Sequence, residues 1–292
     1  MRLSILLVSL LITVQQGAAQ VQNSQQNEMP IQQKDQVSIP VATQWTLDAA
    51  GVPQRAAIKS VALLYCPVTH MKGSGFLLKN GLVITNNHVV DGCTVGQIVG
   101  VTSIGHHLNF RKLATDADVD LAALRPTEAI AGGLELGLDI DPELGSVVST
   151  WGYPLSYNGP APLLSVGYVA RFAQRESHGK SVKHIVVNGA FNPGNSGGPV
   201  FRSNDDKVIG VVVAKLLPYS ARVKKEIAAF EGIYVVWMPV PDENGHVEMV
   251  PQGKVLQDIL DEFYKGTQVM IGEAISVSEL RVFLAAKEAE LQ

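Results

Sequence analysis

Asn192-Pro193-Gly194-Asn195-Ser196-Gly197-Gly198-Pro199-Val200 is the stretch on which the reading of this chain turns. Glycines on both sides of Ser196 let the backbone turn tightly, leave the serine uncrowded and point amide N–H groups inward. The spacing Gly194-x-Ser196-x-Gly198 also fits a serine on a sharp strand-to-helix turn, which needs a helix directly after it and a histidine downstream. Here Val200-Phe201, a polar turn and another strand-like run follow instead. The sole downstream histidine is His246, in the turn-like Asp242-Glu-Asn-Gly-His. The context therefore excludes the strand-to-helix arrangement and leaves a β-rich setting.

Working outward, two upstream segments complete a chemical set. The first is Gly73-Ser-Gly-Phe-Leu-Leu followed by Leu82-Val-Ile-Thr-Asn-Asn-His88-Val-Val; the second is Asp116-Ala-Asp-Val-Asp120-Leu-Ala-Ala-Leu. Taken singly, a histidine closing an apolar strand is ordinarily a satisfied polar residue, and an aspartate opening one is ordinary punctuation. A serine hydroxyl, however, is a poor nucleophile at neutral pH and needs a neighbouring base. Histidine suits that role because its pKa lies near neutrality. The imidazole in turn needs a carboxylate to hold its tautomer and stabilise the imidazolium. His88, Asp120 and Ser196 supply the three types in that chain order, with Asp118 the rival for the carboxylate.

The rest of the chain is consistent with a secreted globular protein. Its 292 residues, 46% hydrophobic and 17% charged, exclude a disordered chain and suit one large domain or two small ones. A net charge of −4, without a lysine/arginine block, argues against a nucleic-acid surface. Arg2, the apolar run Leu3 to Val14 and the small residues Gly17-Ala18-Ala19 read as an export signal over 1–19. That run is about twelve residues, too short for a permanent membrane span. Residues 20–52, dense in glutamine from Gln20 to Gln36, read as a polar linker or pro-region.

From about residue 52, short Val/Ile/Thr-rich runs alternate with glycine turns, which predicts antiparallel β-barrels or sandwiches. The predicted strands include Ser60–Tyr65, Leu82–Thr85, Thr94–Val101, Ser146–Trp151, Val208–Ala214 and Ile233–Met238. Boundaries are set at 53–130 for an N-terminal unit, 131–145 for a connection and 146–250 for a C-terminal unit. Residues 251–292 are expected to be a helical extension. Val255, Ile259, Leu260 and Phe263 recur at helical spacing, and Ser276-Val-Ser-Glu279 resembles a capping box before Leu280, Phe283 and Leu284.

These motifs, in this order and spacing over roughly residues 60 to 240, resemble the trypsin-like serine peptidases, closest to Deg/HtrA-type domains lacking a PDZ module. Trp151-Gly-Tyr-Pro, Ser165-Val-Gly-Tyr-Val and Val208-Ile-Gly-Val-Val-Val extend the match. The resemblance implies an all-β fold of two six-stranded antiparallel barrels with the active site in the cleft between them. It also implies an endopeptidase acting on proteins or peptides through an acyl-enzyme, secreted or periplasmic, with no cofactor. Carried over by position, His88 is the general base, Asp120 its orienting carboxylate and Ser196 the nucleophile. The N–H groups of Gly194 and Ser196 form the oxyanion hole. A catalytically silent binding scaffold and an esterase with the same triad remain the alternatives.

Two departures and several dependent expectations follow from the same resemblance. Asn195 stands where digestive relatives carry an aspartate that pairs with a newly cut N-terminus, so activation by that ion pair is not expected. About forty residues follow the β-rich core, too few for a PDZ module. Ala190, six residues before the nucleophile, would lie at the base of the first specificity pocket. Val212, Val213 and Ala214 would line its wall, which favours a small or aliphatic side chain unless Lys215 points inward. Cys66 and Cys93 are brought near each other by the family fold, as a bridge or as two separate thiols. Adjacent His106-His107 and the lack of a ligand-spacing motif leave metal binding without support.

Overall fold

The computed structural model describes residues 39–292 except 156, 178, 203–206, 216–224, 226–228, 230–235, 242–244 and 267–269. The expected export signal and the polar segment up to residue 38 lie outside the described residues, as do residues 233–235 of the expected strand Ile233–Met238. Two helices come first, α1 (Val41–Ala49) and α2 (Val52–Ser60). The lead-in expected over 20–52 is thus not solvated throughout, because Thr43 and Leu47 of α1 are buried. The glutamine-dense tract ends at Gln36, and the Val-Ala-Thr-Gln-Trp-Thr-Leu-Asp-Ala run beyond Pro40 carries enough apolar surface to fold onto the core.

Seven strands then build one antiparallel sheet. They are β1 (Val61–Cys66), β2 (Met71–Leu77), β3 (Val83–Thr85), β4 (Val99–Thr102), β5 (His107–Leu108), β6 (Phe110–Asp116) and β7 (Leu121–Pro126). Their order is β5-β4-β1-β2-β3-β7-β6, with the single-turn helix α3 (Asn87–Val90) between β3 and β4. The sheet curls around Leu64, Leu77, Val83, Val90, Ile98, Phe110 and Leu124 but does not close. β5 has two residues and runs through Asn109 directly into β6, which leaves no length for the two edges to pair.

The second half does close. β9 (Val147–Gly152), β10 (Leu163–Ser177), β11 (Lys180–Gly189), β12 (Pro199–Arg202) and β13 (Lys207–Lys215) are joined by β16 (Gly272–Ser276) in the circuit β12-β9-β10-β11-β16-β13-β12. β8 (Glu135–Leu136) adds to β13 in parallel. Between β13 and β16 lie a separate ribbon, β14 (Trp237–Pro241) with β15 (Val247–Pro251), and the helix α4 (Gln252–Gly266). Residues 251–292 are therefore not purely helical. The five-residue Gly-Glu-Ala-Ile-Ser strand is masked in the sequence by its charged second residue, Glu273, and by the helix signals that follow it.

The chain ends in α5 (Val277–Ala286) and α6 (Glu288–Leu291). Ser276 occupies the N-cap position, but the expected capping box does not form. Its hydroxyl meets that of Ser278, and Glu279 accepts instead from the N–H of Lys183 at 3.0 Å. Leu280, Phe283 and Leu291 enter a core shared by both halves, with Ile58, Phe76 and Leu121 from the first and Val182, Val208 and Ile275 from the second. Arg125 of β7 donates to the carbonyl of Leu291 at 2.6 Å, tying the last turn to the first sheet.

One ion cluster lies in the second barrel away from the serine loop. Glu273 of β16 is 5% exposed; it is held by Arg175 of β10 and lies 3.2 Å from His184 Nδ1 of β11. Burial pushes its carboxyl up, but the contacts with His184 and Arg175 outweigh this and hold it at about 2. Being below the ordinary 4.5, it contributes stability that is complete above that value and lost as pH falls from about 4.5 towards 2. Urea midpoints measured from pH 7 down to about 2.5 should fall through this window, and Glu273→Gln should flatten that part of the profile. Separately, Leu280→Ala should cost about 2–5 kcal/mol by urea denaturation, because a fully buried leucine shared by both halves leaves a cavity.

Candidate active site

His88 lies on α3, not at the end of a strand, because the chain leaves β3 at Asn86 and makes one helical turn. Asp120 reaches it twice: Oδ1 accepts the His88 backbone N–H at 2.9 Å and Oδ2 lies 2.8 Å from Nδ1. An Nδ1–H held on a carboxylate leaves Nε2 as the basic nitrogen. Asp118 is turned elsewhere, with Oδ2 3.3 Å from Lys180 Nζ, so the rival carboxylate does not meet the imidazole.

Asp120 itself has φ +58°, a left-handed conformation that costs a non-glycine residue about 1–2 kcal/mol. Neighbours over-determine it. Asn86 Nδ2 donates to the Asp120 carbonyl at 2.9 Å, and Asp116 Oδ1 accepts from the N–H groups of Asp118 and Val119 at 3.0 and 3.3 Å. Asn86 and Asp116 were not singled out from the sequence for any role; an amide and an aspartate flanking the histidine and the carboxylate were the available signals.

Ser196 sits in a loop of consecutive turns between β11 and β12. Asn195 N–H donates to the Asn192 carbonyl and Gly198 N–H to that of Asn195. Gly194 has φ +94°, and a Cβ there would lie 2.3 Å from the Tyr153 carbonyl, so no other residue fits. The Pro193 carbonyl accepts from Leu155 N–H at 2.9 Å. Because the peptide is trans and planar, this aims the Gly194 N–H the opposite way. Among the described residues, no protein group accepts from the N–H of Gly194 or Ser196. The Ser196 hydroxyl donates to the Val213 carbonyl of β13 at 2.7 Å.

Ser74 of β2, within the Gly73-Ser-Gly motif, fixes this loop to the first sheet. Its N–H donates to the Ser196 carbonyl at 2.8 Å and its hydroxyl to the Gly194 carbonyl at 2.7 Å. The same hydroxyl accepts from Tyr153 N–H at 2.9 Å, while Thr85 Oγ1 donates to the Ser74 carbonyl at 2.7 Å. Ser74 and Thr85 are fully buried. The approach is close: a Cβ on Gly197, at φ +85°, would lie 2.1 Å from the Ser74 carbonyl. Asn195 is also fully buried, packed near Gly152. A neutral amide suits that position, since an unpaired carboxylate there would carry a far larger desolvation penalty.

The expected pocket residues separate. Ala190 is partly exposed and Val213 partly buried, the latter with its carbonyl on Ser196. Val212 is a correction: its side chain is fully buried in the barrel interior with Ile185, Phe191 and Ala274, because alternation along β13 turns it inward. The Ala214 side chain lies outside the described residues. Phe191, which the sequence reading passed over, is fully buried against Gly272, where a Cβ would lie 2.5 Å from the Phe191 Cβ. Its signal was position, one residue after Ala190. Cys66 and Cys93 form a disulfide with Cα atoms 5.9 Å apart, joining the end of β1 to the segment after α3. Among the described residues no cluster of His, Cys, Asp or Glu could hold a metal ion.

Residues 73–211 match the family model for a trypsin-like peptidase domain. A probable periplasmic serine endoprotease, DegP-like, of Bartonella henselae is 33% identical over 153 residues, 52% of this chain and 29% of that protein. The uncharacterized protein y4bJ of Sinorhizobium fredii is 34% identical over 146 residues, 49% of this chain and 22% of that one. The chain thus spans under a third of the length of these two curated relatives. Among solved structures, the active form of Rv3671c protease from M. tuberculosis has a TM-score of 0.56 at 16% identity, covering 89% of this chain and 93% of that one, a likeness of fold. Residues 73–211 thus form a domain similar to the trypsin-like peptidases.

Proposed function

We propose that this chain is a serine endopeptidase that cuts polypeptides through an acyl-enzyme. The observation that carries the reading is the two-point grip of Asp120 on His88, which fixes the imidazole tautomer a base requires. In the first step the Ser196 hydroxyl rotates from the Val213 carbonyl towards His88 Nε2, gives up its proton and attacks the scissile carbonyl carbon. The carbonyl oxygen becomes an oxyanion received by the N–H of Gly194, whose direction is preset by the Pro193–Leu155 bond, and by the N–H of Ser196, whose peptide is held by the Asn195–Gly198 bond. His88 then passes its proton to the leaving amine. Water, deprotonated by the same nitrogen, releases the acyl group and restores Ser196.

The first specificity pocket carries no charge at Ala190. The small side chain at that position suits a small or aliphatic side chain of the substrate. An extracytoplasmic site of action is supported by the apolar run Leu3 to Val14 and by the relatives named as periplasmic serine endoproteases.

A fluorophosphonate should label the wild-type chain on Ser196 and leave Ser196→Ala unlabelled, with digestion of an unfolded protein substrate reduced about a thousandfold or more in that variant. No labelling of the intact chain would identify a silent scaffold, and labelling with ester but no peptide turnover an esterase. In a peptide series varied only at the residue before the cut, alanine and valine should be preferred.

A further inference from the structure

The hairpin of β10 and β11 belongs to the second barrel, yet a side chain near its tip reaches the first. Lys180, the first residue of β11, places its ammonium 3.0 Å from Asp116 Oδ2 and 3.3 Å from Asp118 Oδ2. Asp116 closes β6 and Asp118 lies in the turn to β7 that delivers Asp120. We propose that Lys180 is a positioning residue for the triad carboxylate, acting across the two halves through Asp116. The proposal rests on the triad reading given above.

The two oxygens of Asp116 do different work. Oδ1 accepts the N–H groups of Asp118 and Val119 and so shapes the backbone entering Asp120, while Oδ2 faces Lys180. A carboxylate gripped at one oxygen only can swing about its χ2 bond into water; the ammonium at the second oxygen fixes its plane. This matters here because Asp120 sits at φ +58°, a conformation that persists only where its surroundings enforce it. Lys180 also lies between two carboxylates, Asp116 and Asp118, whose mutual repulsion would otherwise open the turn. The titration of the groups agrees with this geometry. Burial pushes Asp116 up, but Lys180 and the two turn N–H groups bring it below its ordinary value, and the Lys180 ammonium is held above its own.

The chain of dependence runs from Lys180 to Asp116, to the 118–119 amides, to Asp120 and to His88. Its effect falls on the chemical step, because none of these contacts involves the loop that would hold the substrate. Lys180 is half exposed, so the contribution is that of a surface ion pair and is screened by salt.

The test uses the full chain with a cleavable peptide and with the fluorophosphonate as acylating probe. Lys180→Met should lower kcat and the acylation rate about three- to fivefold, with KM within about twofold and the melting temperature unchanged. Lys180→Arg should restore the rates to within about twofold. Raising salt to about 1 M should slow wild type towards the variant and leave the variant almost unmoved. Asp116→Ala combined with Lys180→Met should be no more than about twofold worse than Asp116→Ala alone, since one acts through the other. Unchanged kcat in Lys180→Met, a loss confined to KM, or multiplicative effects in the double variant would overturn the proposal. Turnover surviving in His88→Ala or Ser196→Ala would instead remove the triad reading itself. With those two variants inactive, full kcat in Lys180→Met removes only the role given to Lys180.

Discussion

The hydrogen bonds of Ser74 are the constraint on which the site depends. One buried residue of the first sheet holds the carbonyls of Gly194 and Ser196, the residues whose N–H groups face the reacting oxygen in the proposed mechanism. Each of its polar groups is engaged, by Tyr153 N–H on the hydroxyl and by Thr85 on the carbonyl. A buried polar network that is fully satisfied rigidifies, because losing any member strands another without water. Since His88 and Asp120 come from the first half and Ser196 from the second, this network also fixes the serine loop to the sheet that carries the other two. Apolar packing beneath α5 brings the halves together; the Ser74 bonds decide how they register.

Electrostatics and strain are concentrated around Asp120. The carboxylate that grips His88 sits on a left-handed backbone, and its position is enforced by Asn86 from one side and the Asp116 turn from the other. Glu273 offers a contrast. It too is an acidic group held by two partners, Arg175 and His184, but its strand has ordinary geometry and its bonds cross-brace β10, β11 and β16. Strain is stored where the imidazole is oriented, and plain pairing serves where the barrel is merely held.

The site was more legible in the sequence than the fold around it. His88, Asp120 and Ser196 could be read because each stands in a short segment of unusual composition, and the glycines about Ser196 matched the positive φ the structure requires at Gly194 and Gly197. The strands rich in valine and isoleucine were likewise readable. β10 was not, because Arg171, Gln174, Arg175 and Glu176 dilute its alternation, and β16 hid behind Glu273. Ser74 and Lys180 escaped for a different reason: their importance lies wholly in partners about 120 and 64 residues away, which no local pattern encodes. Val212 was misjudged because one bulge in β13, between Val212 and Ala214, decides which side chains face outward.

The placement of β16 has a consequence for timing. Its five residues pair with β13 on one side and β11 on the other, although residues 216–271 intervene between β13 and β16 in the chain. A strand of such high sequence separation adds a large loop-closure cost and joins the sheet late. Until it arrives, β13 lacks its partner on that side, with β12 on the other, and β13 supplies the carbonyl on which Ser196 rests. The segments carrying His88, Asp120 and Ser196 are therefore all present in the chain before the strand that completes the barrel beside Ser196. Alignment of Ser196 thus depends on a strand encoded after it, so the candidate site is a product of the finished barrel rather than of its own segments.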